Sequence, residues 1–280
     1  MHIEKNIILQ RANQKPILID CYYTEDKSKQ PVVIFCHGYK GFKDWGAWDL
    51  MAKAISMAGF CFIKFNFSHN GGTVANPIDF PDLEAFGNNN YTTELNDLGD
   101  VLDWIQSEFK TNSFVATDKI NLIGHSRGGG IAILKASEDK RISKLITLAS
   151  VSDFGSRFGS EDEIISWKAT GVKYVQNGRT KQQMPHFYQF YENFLNNEKR
   201  LNIKSATEQL KQPTLIIHGD MDTSVNIKEA FNIHKWHNNS IQEIIENADH
   251  VFNTHHPWDD NSVSSELNKV ISASISFLKS

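Results

Sequence analysis

Cysteine is scarce in this chain of 280 residues, and its three cysteines, Cys21, Cys36 and Cys61, all lie in apolar, strand-like runs. An odd count leaves at least one thiol unpaired, and no C-x-x-C spacing or Cys/His cluster indicates a zinc site. We therefore expect buried thiols in a reducing compartment and no bound metal.

A large excess of charge of one sign is also missing, and so are long apolar runs. The net charge is −4 and no long basic run occurs, so the electrostatic signature of a nucleic-acid-binding protein is absent. No segment approaches the roughly 20 apolar residues that cross a bilayer. The first residues lack the apolar stretch and small-residue cleavage site of a secretory signal. We expect a cytoplasmic protein with neither a nucleic acid nor a membrane as partner.

Strand-like and helix-like segments alternate along most of the chain. The segments 2–9 and 15–24 are predicted to form an antiparallel edge pair. Further strands are predicted at 31–38, 60–67, 119–126, 144–151, 213–220 and 241–247. Amphipathic helices are predicted between them and at the end, including 91–109 and about 260–279. This alternation predicts one α/β domain over 1–280, with a mostly parallel sheet covered by helices on both faces.

The alternation is interrupted twice. Residues 68–90 form a loop rich in Asn, Gly and Pro, and long loops of this kind are often functional. Residues 153–212 show no clean strand–helix pattern, although 184–195 are predicted to form an aromatic helix. We interpret 153–212 as a cap inserted between two strands of the sheet.

Ser126 lies at the centre of the G-x-S-x-G string Gly124-His125-Ser126-Arg127-Gly128. The string falls where a buried strand, INLIG, meets a helix, GGGIAIL, as a nucleophile elbow requires. A serine needs a base within hydrogen-bond reach before it can attack a carbonyl carbon. In this type of hydrolase an acid and then a histidine follow the serine along the chain.

Two aspartates compete for the role of the acid, because Asp220 and Asp222 both follow the strand PTLII. Asp220 lies directly at the strand end, where it would brace the turn, and Asp222 lies further out in the loop. The base is predicted to be His250, the only histidine in the loop that directly follows the last strand.

A hydrolase of this type also needs two backbone N–H donors for the oxyanion of the tetrahedral intermediate. One donor is predicted at Arg127, the residue after the serine. The other is predicted in the loop after the third strand, which reads His37-Gly38-Tyr39-Lys40-Gly41.

Over nearly its whole length the chain resembles the α/β-hydrolase superfamily. The strings HGYKGFKDW, GHSRGG, HGDMDTSV and NADHVF resemble those of cinnamoyl/feruloyl-esterase-like hydrolases and of prolyl-oligopeptidase-type catalytic domains. The resemblance implies that Asp222 is the acid and that Tyr39 and Arg127 supply the oxyanion donors. The chain departs from the usual F-D-x-R-G-H-G-x-S stretch, since 65–72 read FNFSHNGG.

These residues predict a serine hydrolase that cleaves a small-molecule carboxylic ester without a cofactor. A peptidase or thioesterase would use the same residues, and a non-catalytic binding protein on this fold is the alternative from another class. Trp167 and Tyr188 are predicted as substrate-lining side chains. The stripe Phe187, Phe190, Tyr191 and Phe194 is interpreted as docking the cap onto the body. Lys40, Lys43 and Arg127 are interpreted as solvated surface charges rather than as a site for an acidic substrate.

Overall fold

The computed structural model describes residues 1–26 and 29–280, and a sheet of eight strands lies at its centre. Ten strands are described in all, and two of them, β7 and β8, form a separate small sheet. The strands are β1 (His2–Leu9), β2 (Ile17–Tyr23), β3 (Gln30–Cys36), β4 (Cys61–Asn66), β5 (Val115–His125), β6 (Ile142–Leu148), β7 (Val172–Gln176), β8 (Gln183–Phe187), β9 (Thr214–Gly219) and β10 (Ser240–Ile245).

The main sheet has the strand order β1-β2-β4-β3-β5-β6-β9-β10. The six strands from β4 to β10 in this order pair in parallel. The edge strand β1 is antiparallel to β2, and β2 is antiparallel to β4. The mostly parallel sheet predicted from the alternation is therefore confirmed. The carboxyl ends of β3, β5, β9 and β10 all meet at one edge of it, where ligands bind in open α/β sheets.

Helices cover both faces of the sheet. They are α1 (Trp48–Met57), α2 (Leu83–Gly87), α3 (Tyr91–Glu108), α4 (Arg127–Glu138), α5 (Glu161–Thr170), α6 (Gln189–Asn196), α7 (Ile203–Gln209), α8 (Lys228–Trp236) and α9 (Ser265–Lys279). The apolar side chains of α1 and α9 pack on one face, and those of α3, α4 and α8 pack on the other. None of the helices described is both long and apolar enough to span a membrane.

The last helix begins later than expected. The sequence predicts a start near residue 260, but α9 begins at Ser265 because the Ser264 side chain accepts a hydrogen bond from the Leu267 N–H at 3.0 Å. A serine in this position satisfies one of the amide groups that have no partner within the helix.

The insertion between β6 and β9 contains α5, the β7–β8 hairpin, α6 and α7. The single helix predicted at 184–195 is wrong, because its first part is strand β8 and only the rest is helical. Pro185 pairs with Tyr174 in the hairpin, an edge position that tolerates a residue without an N–H. The last helix of the insertion, α7, packs against α4 on the body.

The loop 68–90 is more ordered than its composition predicts. It contains α2, and its side chains Phe80 and Phe86 are buried together with Phe42 and Met184. The Gln182 side chain also donates a hydrogen bond to the Phe80 carbonyl at 3.2 Å. The loop thus packs beneath the β7–β8 hairpin.

A charge cluster (Asp20, Lys43, Asp44, Asp49 and Lys64) lies at the start of α1, with Asp20 and both lysines buried and the other two carboxylates partly exposed. Lys64 pairs with Asp20 across strands β2 and β4, at 3.1 Å, and also contacts Asp49 at 2.8 Å. The Lys43 ammonium is 2.8 Å from Asp20 and fully buried, so its interpretation as a solvated charge is wrong. Burial alone would lower the pKa of Lys64, but the neighbouring carboxylates raise it.

The cluster contains the one group of acidic side chains, among residues 1–26 and 29–280, close enough to hold a metal ion: Asp20, Asp44 and Asp49. Ammonium groups from two buried lysines already contact all three carboxylates. We therefore interpret the cluster as structural.

Replacing Lys64 with methionine tests the contribution of the cluster to stability. We expect Lys64→Met to lower the free energy of unfolding by about 3–5 kcal/mol, because the three carboxylates lose one of their two buried cations. Urea denaturation followed by circular dichroism measures this change. Lys53→Met is the matched control, since Lys53 is half-exposed and 3.5 Å from Asp49, and we expect a change within about 1 kcal/mol. Equal stability of the two variants would contradict the structural role of Lys64.

Candidate active site

Ser126 occupies the sharp turn between β5 and α4. Its backbone angles, φ 56° and ψ −120°, are rare for any residue other than glycine. The Ser126 N–H donates to the Leu148 carbonyl at 2.9 Å, and the Ser126 carbonyl accepts from the Gly129 N–H at 3.0 Å. These backbone bonds hold a strained conformation of the kind that is found at functional sites.

Two glycines allow the turn to form. A Cβ on Gly124 would lie 2.3 Å from the Gly128 carbonyl oxygen, so strand and helix pack backbone to backbone. A Cβ on Gly128 would lie 2.4 Å from the carbonyl oxygens of Cys36 and His37, which belong to the end of β3 and the residue after it. A larger residue at Gly124 would separate β5 from α4, and one at Gly128 would push the turn away from β3.

Asp222 lies in the turn after β9, and His250 lies in the loop after β10. The Asp222 Oδ2 atom is 2.8 Å from Nδ1 of His250. The other oxygen, Oδ1, accepts hydrogen bonds from the N–H groups of Ser224 and Val225, at 2.8 and 2.9 Å. The competing Asp220 is exposed. Of the two aspartates left open by the motif, Asp222 is thus the one in contact with His250.

The Asp222 carboxylate is held in its charged form. Burial alone would raise its pKa, but the hydrogen bonds from His218 and His250 and from the Val225 backbone lower the pKa well below its usual range. His218 is fully buried, with Nε2 2.9 Å from the Val225 carbonyl and 3.2 Å from Asp222. It therefore braces the turn that carries Asp222.

His125 positions the loop of His250 from below. Its Nε2 lies 2.8 Å from the His250 carbonyl oxygen, and a carbonyl can only accept, so this nitrogen carries the hydrogen. Burial, together with the nearby His250, lowers the pKa of His125 to about 3, and the ring is neutral at pH 7. The motif indicated no role for this residue, because its second position accepts any side chain.

The loop after β3 passes directly beside the serine. A Cβ on Gly38 would lie 2.9 Å from the Ser126 Cβ. His37 anchors the loop, because its Nδ1 is 2.9 Å from the Gly38 carbonyl oxygen and its Nε2 accepts from the Phe67 N–H at 3.2 Å. Burial lowers the pKa of His37 to about 4, which keeps Nε2 free to accept.

The two predicted oxyanion donors lie at this junction. Tyr39 follows Gly38 in the loop, and Arg127 is the first residue of α4. In the described ranges 1–26 and 29–280, neither backbone N–H donates a hydrogen bond to another part of the protein. The first amides of a helix have no partner within it, so the Arg127 N–H is available to a ligand.

A cavity of about 500 Å³ opens next to these residues, between the body and the inserted segment. Ser126, His250, Tyr39 and Arg127 all line it. The remaining lining residues are Lys40, Tyr91, Val151, Phe154, Arg157, Phe158, Lys173, Val175, His186, Phe190, Ser224 and Val225.

Trp167 and Tyr188 do not line this cavity. The prediction that they face a substrate bound there is therefore wrong. Trp167 is buried, and its indole N–H donates to the His186 carbonyl at 2.7 Å. Tyr188 packs edge-on against Trp167, with ring centroids 5.7 Å apart. Both side chains hold the hairpin to α5 and α6. Phe190, which was interpreted as a docking residue, lines the cavity as well as packing on Tyr91.

The Arg127 side chain is largely covered by the protein, with 14% of its surface exposed, contrary to its interpretation as a solvated charge. It lies 3.3 Å from Glu94 and against the rings of Tyr39, Tyr91 and Phe190, at 4.4, 5.2 and 5.4 Å. Tyr39 in turn places its hydroxyl 2.7 Å from Nε2 of His186. These contacts tie the residues beside Ser126 to strand β8 of the insertion.

The divergent stretch 65–72 supports the site from outside the cavity. The Asn66 side chain accepts from the Lys43 N–H at 2.7 Å and donates to the Pro77 carbonyl at 3.0 Å. The Ser68 N–H donates to Asp97 at 2.8 Å. None of these residues lines the cavity, so the unusual sequence affects how the loop is held rather than what the cavity presents to a ligand.

Known structures share this fold. One is Est1E from Butyrivibrio proteoclasticus, solved with ferulic acid bound, with a TM-score of 0.70, 18% identity and 98% coverage of both chains. Another is the esterase domain of a Rhodothermus marinus protein, with a TM-score of 0.66, 16% identity and coverage of 99% of this chain and 98% of that one. At these identities the likeness concerns the fold.

The comparison with curated proteins gives a more partial match. The chain is 26% identical over 129 residues to a 31.7 kDa Escherichia coli protein of the traX-finO intergenic region. That alignment covers 46% of this chain and 40% of the length of the relative.

The BD-FAE family model matches residues 19–237, a range that includes the loop after β3, Ser126 and Asp222. His250 lies beyond it, in the loop that follows the next strand. Since the matched range is most of the chain and the sheet has the expected order, this α/β hydrolase belongs to the BD-FAE family.

Proposed function

We propose that this protein is a serine hydrolase that cleaves carboxylic esters through an acyl-enzyme on Ser126. The observation that supports this most directly is the 2.8 Å hydrogen bond between Asp222 and His250, with the histidine lining the same cavity as Ser126. A charged, buried carboxylate against one nitrogen of an imidazole leaves the other nitrogen to accept a proton.

The reaction proceeds in two acyl transfers. His250 Nε2 takes the hydroxyl proton while the Ser126 oxygen attacks the ester carbonyl carbon, and the carbonyl electron pair moves onto its oxygen. The tetrahedral intermediate collapses, the bond to the alcohol oxygen breaks, and His250 protonates the departing alcohol. Water then attacks the acyl-enzyme with His250 again as base, which frees the acid and restores Ser126.

The negative oxygen of each intermediate is held by the backbone N–H groups of Tyr39 and Arg127. Backbone donors fixed before the reaction need no reorganisation when charge develops, and one such donor contributes about 2.7–4 kcal/mol to lowering the barrier. The tight packing of Gly38 and Gly128 around Ser126 keeps both donors beside the reacting carbon. None of these steps draws on a metal or an organic cofactor.

Covalent labelling tests the nucleophile. We expect a fluorophosphonate probe to modify Ser126 in the folded protein, because the probe reacts with an activated serine. Ser126→Ala should lose the label and lower the hydrolysis of 4-nitrophenyl butyrate by about 10⁶-fold. Intact-mass spectrometry and initial rates measure the two effects.

The control for labelling is Ser166→Ala, which changes an exposed serine on α5 and should label like the wild type. Equal labelling of wild type and Ser126→Ala would remove the proposed nucleophile. Absence of any label on the wild type would favour a non-catalytic binding protein.

The two aspartates make a matched test of the acid. Asp222→Asn should lower kcat/KM by about 10⁴-fold, because an amide in this position no longer holds the imidazole in the tautomer that accepts the serine proton. Asp220→Asn should stay within about threefold of the wild type, since its exposed side chain changes no contact of the imidazole. Rates of ester hydrolysis at saturating and at limiting substrate give kcat and kcat/KM. Similar losses in the two variants would contradict the assignment of Asp222.

A further inference from the structure

The cavity beside Ser126 carries charge of only one sign. Four of its lining residues are cationic: Lys40, Arg127, Arg157 and Lys173. None of the lining residues in the described part of the chain is acidic. For a protein with a net charge of −4, this local excess of cations is the opposite of the overall balance.

Two of the four cations have a carboxylate partner. Arg127 contacts Glu94 at 3.3 Å, and Arg157 contacts Glu229 on α8. Their charges are therefore largely compensated inside the protein. Both arginines also stabilise the cavity wall, because Arg127 connects α4 to α3 and Arg157 connects the insertion to α8.

The other two cations have no such partner. Within residues 1–26 and 29–280, no carboxylate lies within salt-bridge distance of Lys40 or Lys173. The Lys173 ammonium donates to the Phe158 carbonyl at 3.1 Å and lies 4.0 Å from the centre of the Trp167 ring. The Lys40 ammonium lies 4.9 Å from the centre of the Tyr39 ring. Both are partly buried, and burial lowers the pKa of each, while the charge of Glu163, beyond salt-bridge distance, opposes this effect on Lys173.

Strand pairing aims Lys173 into the cavity. In the β7–β8 hairpin Lys173 lies opposite His186, and both line the cavity together with Val175, two residues further along β7. The insertion thus supplies an ammonium group to the same space into which the body presents Ser126. Lys40 adds a second ammonium from the loop that carries Tyr39.

Between these charged groups the wall is apolar and aromatic. Tyr91 and Phe154 stack face to face, with ring centroids 3.8 Å apart, and Phe158 and Phe190 pack beside them. Such a surface binds the hydrocarbon part of a substrate by excluding water. Partly buried ammonium groups without a carboxylate partner favour a negatively charged group.

We propose that the cavity selects esters that carry a carboxylate, with this anion bound by Lys173 and Lys40 and the hydrocarbon body held against the aromatic wall. This specificity rests on the proposed esterase function and adds to it the chemical class of the substrate. The compensated Arg127 and Arg157 shape the wall, and the two lysines without carboxylate partners recognise the anion.

Matched pairs of esters test the selectivity, one pair for each half of the substrate. For the acyl half, mono-4-nitrophenyl adipate is compared with 4-nitrophenyl hexanoate. For the alcohol half, 4-butyryloxybenzoate is compared with phenyl butyrate. We expect the carboxylate to raise kcat/KM by about tenfold in at least one pair, as is typical of a hydrogen bond to a charged group. The advantage should shrink as salt is raised, because both lysines are partly solvated.

The variants Lys173→Met and Lys40→Met should each remove most of this advantage, so that the ratio of kcat/KM for the anionic ester to kcat/KM for the neutral ester falls toward one. Two independent variants are used so that a folding defect in one leaves the other informative. Lys168→Met is the control, since Lys168 is exposed on α5 and outside the cavity, and it should keep the full preference.

Equal kcat/KM for the anionic and neutral members of both pairs would overturn the selectivity and leave the esterase function intact. An equal fall in kcat/KM for the anionic and the neutral ester in both lysine variants would overturn the selectivity too. The lysines would then support the active site as a whole rather than recognise the anion. If none of the four esters is hydrolysed and the fluorophosphonate does not label Ser126, the proposed function itself is rejected.

Discussion

The strained turn at Ser126 is the constraint on which the rest of the site depends. A positive φ at a residue with a side chain is costly, and it persists here because β3, β5 and α4 approach so closely that only Gly124 and Gly128 fit between them. The same close packing brings the loop of Tyr39 beside the serine and leaves the first amide of α4 unbonded. One local geometry thus places the hydroxyl and both predicted backbone donors at a single point.

Hydrogen-bond partners decide which of the groups around this point are neutral and which are charged. His37 and His125 are buried, have lowered pKa values and act as neutral hydrogen-bonding braces, one for each loop. Asp222 is also buried, yet its pKa is lowered, because histidines and backbone amides donate to it. The hydrogen-bond partners available to each side chain, rather than burial as such, decide which group stays charged.

The insertion between β6 and β9 has two roles. Its aromatic side chains pack with Tyr91 on α3 and close the cavity, and its hairpin adds Lys173 and His186 to the lining. The contact of Tyr39 with His186 joins the insertion to the loop beside Ser126. Changes in the insertion are therefore expected to alter substrate preference while the strand ends that carry Ser126, Asp222 and His250 stay in place.

Local sequence determined the parallel sheet, the strand-to-helix turn at Ser126, and the loops that carry Asp222 and His250, because strand periodicity and glycine spacing are properties of neighbouring residues. Local pattern also contained a signal that was missed. The pair Asn177-Gly178 is typical of a hairpin turn, and it lies in the loop that connects β7 to β8.

Only the tertiary structure decided which charges are buried and which side chains line the cavity. Lys43 lies in the loop between β3 and α1 but contacts Asp20 on β2, and Arg127 on α4 contacts Glu94 on α3. Trp167 lies in the insertion, but its side chain is buried in the core, and Phe190 lines the cavity instead. Such environments depend on partners distant along the chain, and no local pattern records them.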